Sequence, residues 1–133
     1  MTTILPTLNV VAGIVWNHQH EILISKRLSH KPLGNLWEFP GGKIETNENA
    51  FEALCRELFE EVGLIVHQAV PFFKNNHQYS DRYIIFECWE IKNYEGEAHG
   101  KEGQEIRWVK IPDLQNYDFP SANLDILTIL LSG

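Results

Sequence analysis

Between Gly41 and Leu64 the chain reads GGKIETNENAFEALCRELFEEVGL, and two kinds of residue recur there at the helical period on different faces. Phe51, Leu54, Cys55, Leu58 and Val62 form an apolar stripe suited to packing on a core. Glu57, Glu60 and Glu61 stand at i, i+3 and i+4 and gather three carboxylates on a neighbouring face. Like charges at that spacing cost about 0.2–0.5 kcal/mol per pair. A helix serving stability alone could carry lysines there, and the obvious relief is a hard divalent cation, because Mg²⁺ and Mn²⁺ prefer carboxylate oxygens. The ends are marked too. Pro40-Gly41-Gly42 reads as a turn that brings backbone close to a ligand, and its Gly41 carbonyl can add an oxygen to a cation. Thr46 or Asn47 is the expected cap, with Glu48 in the first turn. Gly63 is the expected C-terminal stop. Arg56 lies four residues from both Glu52 and Glu60 and can hold the two acids in place.

Taken in order, Gly42, five residues, Glu48, seven residues, and then Arg56-Glu57-Leu58-Phe59-Glu60-Glu61-Val62-Gly63-Leu64 resembles the signature of the Nudix hydrolases at every prescribed position. The resemblance implies an α/β fold, a Nudix-type α/β/α sandwich with a mixed sheet, and a single Nudix hydrolase domain over 1–133. It also implies hydrolysis of a nucleoside diphosphate linked to a further group. The likeness covers most of the chain. VAGIVW, ISKR ending at Arg27, WEFPGGKIE, GKEGQ and DFPSAN resemble the bacterial MutT branch of the family. Those enzymes hydrolyse 8-oxo-dGTP to 8-oxo-dGMP and pyrophosphate, by attack of water on the β-phosphorus, and keep oxidised guanine out of DNA.

By that resemblance Glu57, Glu60 and Glu61 serve the metal, Glu57 is a candidate base, and Arg56 belongs to the same catalytic group. Glu102 matches a further acid that binds metal or activates water, although from the residues alone it reads as a solvated loop acid. Substrate contacts are expected from Arg27, Glu38, Phe39, Pro40, Gly41, Asp118, Phe119 and Asn123. Arg27 ends a strand where a guanidinium could grip a phosphate bidentately or simply form a surface ion pair. Trp37 and Phe39 belong mainly to the core. Asn123 could cap the helix that follows. The family match instead assigns it to the base, because its amide offers a donor and an acceptor to the O6 and N7–H edge of oxidised guanine. Unmodified guanine has an acceptor at N7, so a site acceptor there would be left unpaired by the wrong substrate. Two departures bear on substrate preference. The branch carries a His where this chain has Pro32, with His30 two positions earlier, and its aromatic-rich strand contains Glu87 and Cys88 here.

Composition narrows the partners. A formal charge of −7 argues against a nucleic-acid polymer and leaves room for a small phosphorylated ligand bridged to the acids by metal, which the resemblance implies is a nucleoside triphosphate. With 133 residues and 44% apolar content the chain is long and apolar enough for a core. Cys55 and Cys88 have neither a disulfide framework nor zinc spacing and read as buried thiols in a reducing cytosol. No signal peptide or membrane span is evident, so a soluble cytoplasmic protein is expected; a monomer is expected as well. Two other readings stay open: a Nudix hydrolase of ADP-ribose or a dinucleoside polyphosphate, and a nucleotide sensor that binds without cleaving, for which degenerate acids would be expected.

Elsewhere, Leu8 to Trp16 reads as a buried strand and Asn17 to His20 as an exposed polar turn. Strands are expected from Glu21 to Lys26, from Ile65 to Tyr79 with a polar interruption at Lys74–His77, from Arg82 to Ile91, and from Glu105 to Lys110. A final helix should begin near Ser121, with Ser121 as its cap.

Overall fold

The computed structural model describes residues 4–133, so the first three residues of the expected 1–133 unit lie outside the described residues. Seven strands are present among them: β1 (Thr7–Ile14), β2 (Glu21–Lys26), β3 (Trp37–Glu38), β4 (Gly41–Lys43), β5 (Ile65–Gln78), β6 (Tyr83–Glu95) and β7 (Ile106–Lys110). The helices are α1 (Ala50–Val62) and α2 (Ser121–Ser132), with a 3₁₀ segment at Ile111–Asn116. A mixed four-stranded sheet runs β4-β1-β6-β5, with β1 and β6 parallel, and a three-stranded antiparallel sheet runs β3-β2-β7.

The near-continuous apolar run of β1 follows from its having both faces covered. Val11 and Val15 pack in one cluster with Leu54, Leu58 and Val62 of α1, while Ala12 and Ile14 pack in another with Ile126, Leu127 and Leu130 of α2. β2 divides the same way, Leu23 to the α1 side and Ile22 and Ile24 to the α2 side. The result is the α/β class with helices on both sides of a mixed sheet.

Several boundaries differ from expectation. The cap of α1 is Asn49, not Thr46 or Asn47. Asn49 has extended backbone and forms a reciprocal capping box with Glu52 (2.8 and 2.9 Å), whereas Asn47 sits in the left-handed region at φ 73°. Glu48 therefore precedes the helix instead of filling its first turn. Gly63 does end α1, at φ 76°, as expected of a left-handed stop. β5 is not interrupted by Lys74–His77. Its register shifts lie earlier, between Val66 and Phe73, and Lys74–His77 pair continuously with β6, because an edge strand can turn polar side chains to water while its backbone stays paired. β6 extends to Glu95, past the expected end at Ile91. Pro120, not Ser121, holds the N-cap position of α2, and no side chain caps that end locally. Cys88 is buried, but Cys55 is only half-buried.

Candidate active site

The acid face of α1 looks onto β4 across a cavity of about 300 Å³. Gly41, Glu57, Glu60, Glu61 and Glu102, the five residues expected around a metal, all border it. Lys26, Arg27 and Lys31 bring positive charge to the same walls. Two glycines let β4 pack closely, Gly42 against α1 and Gly41 against β1. A Cβ on Gly42 would overlap the Glu57 carboxylate, and one on Gly41 would overlap the Val11 carbonyl.

Glu61 is 7% exposed, and its Oε2 accepts the Gly41 N–H at 3.0 Å. Arg56 organises the outer acids. Its Nη1 donates to Glu57 Oε1 at 2.9 Å and reaches Glu60 Oε2 at 3.4 Å. Its other edge grips Glu48 through two bonds of 2.6 and 3.1 Å, and Nη2 also donates to the Lys43 carbonyl at 2.9 Å. Arg56 thus ties α1 to β4 and to the segment before the helix. It does not hold Glu52, whose carboxylate is committed to the capping box.

Burial pushes the Glu61 carboxyl up to about 8, against the Gly41 N–H and with help from Glu38, Glu102 and Glu57. Burial likewise raises Glu38 to about 7, opposed by Arg27 and Lys31. Glu57 is raised by burial, a shift that Arg56 partly offsets. Among the described residues, no three His, Cys, Asp or Glu side chains stand close enough to hold a cation. Arg56 engages Glu57 and Glu60, and Glu61 is bound to backbone. The donor set still suits a hard cation. It is all oxygen, and burial raises two of its carboxyls, Glu57 and Glu61, along with that of neighbouring Glu38, so an added positive charge would favour their ionised forms.

A second cavity, of about 220 Å³, lies next to the first, and Arg27, Glu38, Gly41 and Gly42 border both. Arg27 is fixed at this shared wall by donation from Nε to the Pro32 carbonyl (2.7 Å) and by a 3.6 Å ion pair with Glu38. Phe39 and the start of α2 line the second cavity further in. There Asn123 is 5% exposed, and its Oδ1 is buried without a hydrogen-bond partner among the described residues. Its backbone N–H closes a turn onto Pro120, while its side chain caps nothing.

Three expected contacts fall elsewhere. Phe119 stacks on Phe39 at 5.4 Å between centroids but does not border either cavity. Pro40 is buried, its carbonyl accepting the Gly13 N–H, and borders neither cavity. Asp118 is exposed and outside both; only its carbonyl is engaged, by the Trp37 N–H at 2.8 Å. Trp37 is a core residue as expected.

Sequence reasoning missed Tyr79, Arg82 and Gln104. Tyr79 and Arg82 line the second cavity from the β5–β6 turn, and the buried Arg82 Nε has no hydrogen-bond partner among the described residues, only a long ion pair of 3.9 Å with Asp81. The Tyr79 hydroxyl accepts the Ala122 N–H at 3.2 Å and so supplies the cap that α2 lacks locally. Only the Ser80-Asp81 turn signal hinted that these residues sit at a hairpin end.

Known proteins resemble this chain over nearly its whole length. The sequence profile described as NUDIX domain matches residues 11–128. An 8-oxo-dGTP diphosphatase of Escherichia coli K12 is 39% identical over 92% of this chain and 95% of its own. One of Haemophilus influenzae is 34% identical over 94% of this chain and 92% of its own. A solved MutT structure, from work on the Aliivibrio salmonicida and Vibrio cholerae proteins, superposes with a TM-score of 0.82 at 39% identity, covering 95% of this chain and 98% of that one. With the acids of α1 set against the glycine turn and a profile match over most of its length, this chain belongs to the NUDIX domain family and is a Nudix hydrolase.

Proposed function

We propose that this protein hydrolyses 8-oxo-dGTP to 8-oxo-dGMP and pyrophosphate and so clears oxidised guanine nucleotides before they enter DNA. Nudix hydrolases need a divalent cation, and we assign Mg²⁺, replaceable by Mn²⁺, to the acid-lined cavity, where Gly41, Glu57, Glu60, Glu61 and Glu102 would hold it. Bound there, it supplies charge neutralisation for the polyphosphate oxygens and makes water more acidic. Glu57, half-buried and raised in pKa, takes the proton of the water that attacks the β-phosphorus. Arg56 keeps Glu57 and Glu60 in place, and Arg27, on the wall common to both cavities, meets phosphate where the triphosphate passes from one to the other.

The observation that carries the substrate is the orphaned, buried Oδ1 of Asn123, a residue that lines the cavity adjoining the acids. A buried acceptor without a partner is costly, and the N7–H of 8-oxoguanine is a donor that unmodified guanine lacks. The relatives named as 8-oxo-dGTP diphosphatases support the same reading. The working form would be a cytoplasmic monomer acting on a small nucleoside triphosphate, with no nucleic-acid polymer; no described helix is long and apolar enough to cross a membrane. A turnover panel with Mg²⁺ tests the substrate. 8-oxo-dGTP should be used far below the concentration needed for dGTP, CTP or ADP-ribose, and equal turnover of 8-oxo-dGTP and dGTP at low concentration would remove the assignment.

A further inference from the structure

The loop after β6 returns to the end of α1 and is fastened there. The His99 N–H donates to the Val62 carbonyl at 3.0 Å, and the Lys101 N–H to the Glu61 carbonyl at 3.1 Å. Gln104 completes the attachment from inside. It is 9% exposed; its Nε2 donates to the Glu61 carbonyl at 2.9 Å, and its Oε1 accepts the Glu102 N–H, also at 2.9 Å. The Glu61 carbonyl thus accepts two bonds, one for each lone pair. The fit is close, since a Cβ on Gly100 would overlap the Gln104 carbonyl.

One carboxamide therefore joins the backbones of two acids that border the same cavity, Glu61 on the helix and Glu102 on the loop. We propose that Gln104 is a positioning residue, which fixes where the loop presents Glu102 to the acid-lined cavity by tying it to the last turn of α1. The proposal rests on Glu102 serving that cavity as read above. A buried amide with both of its ends used has little freedom to let the loop drift, and groups that orient ligand-bearing acids are commonly worth roughly 10- to 100-fold in activity or metal affinity.

Gln104→Met keeps the approximate length and removes both hydrogen bonds. In that variant amide hydrogen exchange at Glu102 should accelerate, a readout independent of turnover. With Mg²⁺, kcat should fall roughly tenfold or more while the nucleotide KM stays nearly constant. Placed on Glu102→Gln, the same substitution should cost nothing further. An equal loss in both backgrounds overturns the assignment of Gln104 while leaving Glu102 in its role, and so does unchanged exchange at Glu102. Full activity of Glu102→Gln alone removes the role of Glu102 and the proposal with it. Should Gln104→Met fail to fold, Gln104→Glu keeps the acceptor opposite the Glu102 N–H but sets an oxygen against the Glu61 carbonyl, and its loss should likewise vanish on Glu102→Gln; persistence there overturns the proposal.

Discussion

The two adjoining cavities share four wall residues and little else. The acid-lined one is crowded with groups that satisfy one another: Arg56 binds Glu48, Glu57 and Glu60, Glu61 takes a backbone N–H, and Gln104 joins loop to helix. Its remaining problem is charge, carried by carboxyls that burial pushes upward. The inner cavity is the reverse. It is more apolar, with Phe39, Val11 and Phe86 in its walls, yet two of its lining residues bury atoms without a hydrogen-bond partner among the described residues, Asn123 Oδ1 and Arg82 Nε. The first asks for a cation and the second for a hydrogen-bonding edge on a flat ligand. A nucleotide bound to a divalent ion offers both, one at each end.

Substitutions can separate the two halves. The largest effect is expected in the acid-lined cavity. Glu57→Gln should lower pyrophosphate release roughly 10²–10⁴-fold with nucleotide affinity largely kept, measured by steady-state turnover beside equilibrium binding. A modest loss would place the base elsewhere. In the inner cavity, Asn123→Ala should reduce the preference for 8-oxo-dGTP over dGTP by roughly ten- to a hundredfold while turnover of dGTP changes little. An unchanged preference would separate base reading from this residue.

A smaller effect concerns stability in the absence of metal. Glu61 and Glu38 have folded values of about 8 and about 7 against an ordinary 4.5. Below 4.5 both carboxyls are protonated, folded or unfolded, and contribute no pH dependence. As pH rises toward 8 the unfolded chain ionises while the folded one retains protons, so stability should fall through that window and level off above it. Urea melts in a chelator across these pH values measure the slope, and Mg²⁺ should flatten it if the crowded charge is what the cation relieves. The smallest effect is the most specific. Asp118→Ala should leave KM and the 8-oxo-dGTP preference unchanged, because its side chain lies outside both cavities. A clear loss would mean that substrate reaches beyond them.

The same contrast governs how much could be read from residues alone. The acids of α1 were legible because a helix sorts side chains by spacing within one segment, and Gly63 stops it by a local backbone preference. The error at its start was local as well. Thr46, Asn47 and Asn49 can all cap, but only Asn49 has a Glu three residues on, and that pairing decides. The polar side chains at Lys74–His77 suggest a break in β5, but that inference holds only for a strand covered on both sides, and β5 is an edge. The inner cavity was hardest to foresee. Asn123 faces Tyr79 and Arg82 only because the β5–β6 hairpin meets the start of α2, and no periodicity within either segment encodes that meeting. Asp118 and Asn123 share one short motif, yet the backbone turn between them sends one outward and the other in.

The most direct test of a single ligand spanning both cavities is a crystal structure with 8-oxo-dGMP and Mn²⁺, phased to show the metal by anomalous scattering. The predicted result is a manganese peak among Gly41, Glu57 and Glu61 together with the purine edge against the Asn123 amide. A purine seated away from Asn123, or manganese bound away from the acids of α1, would contradict it.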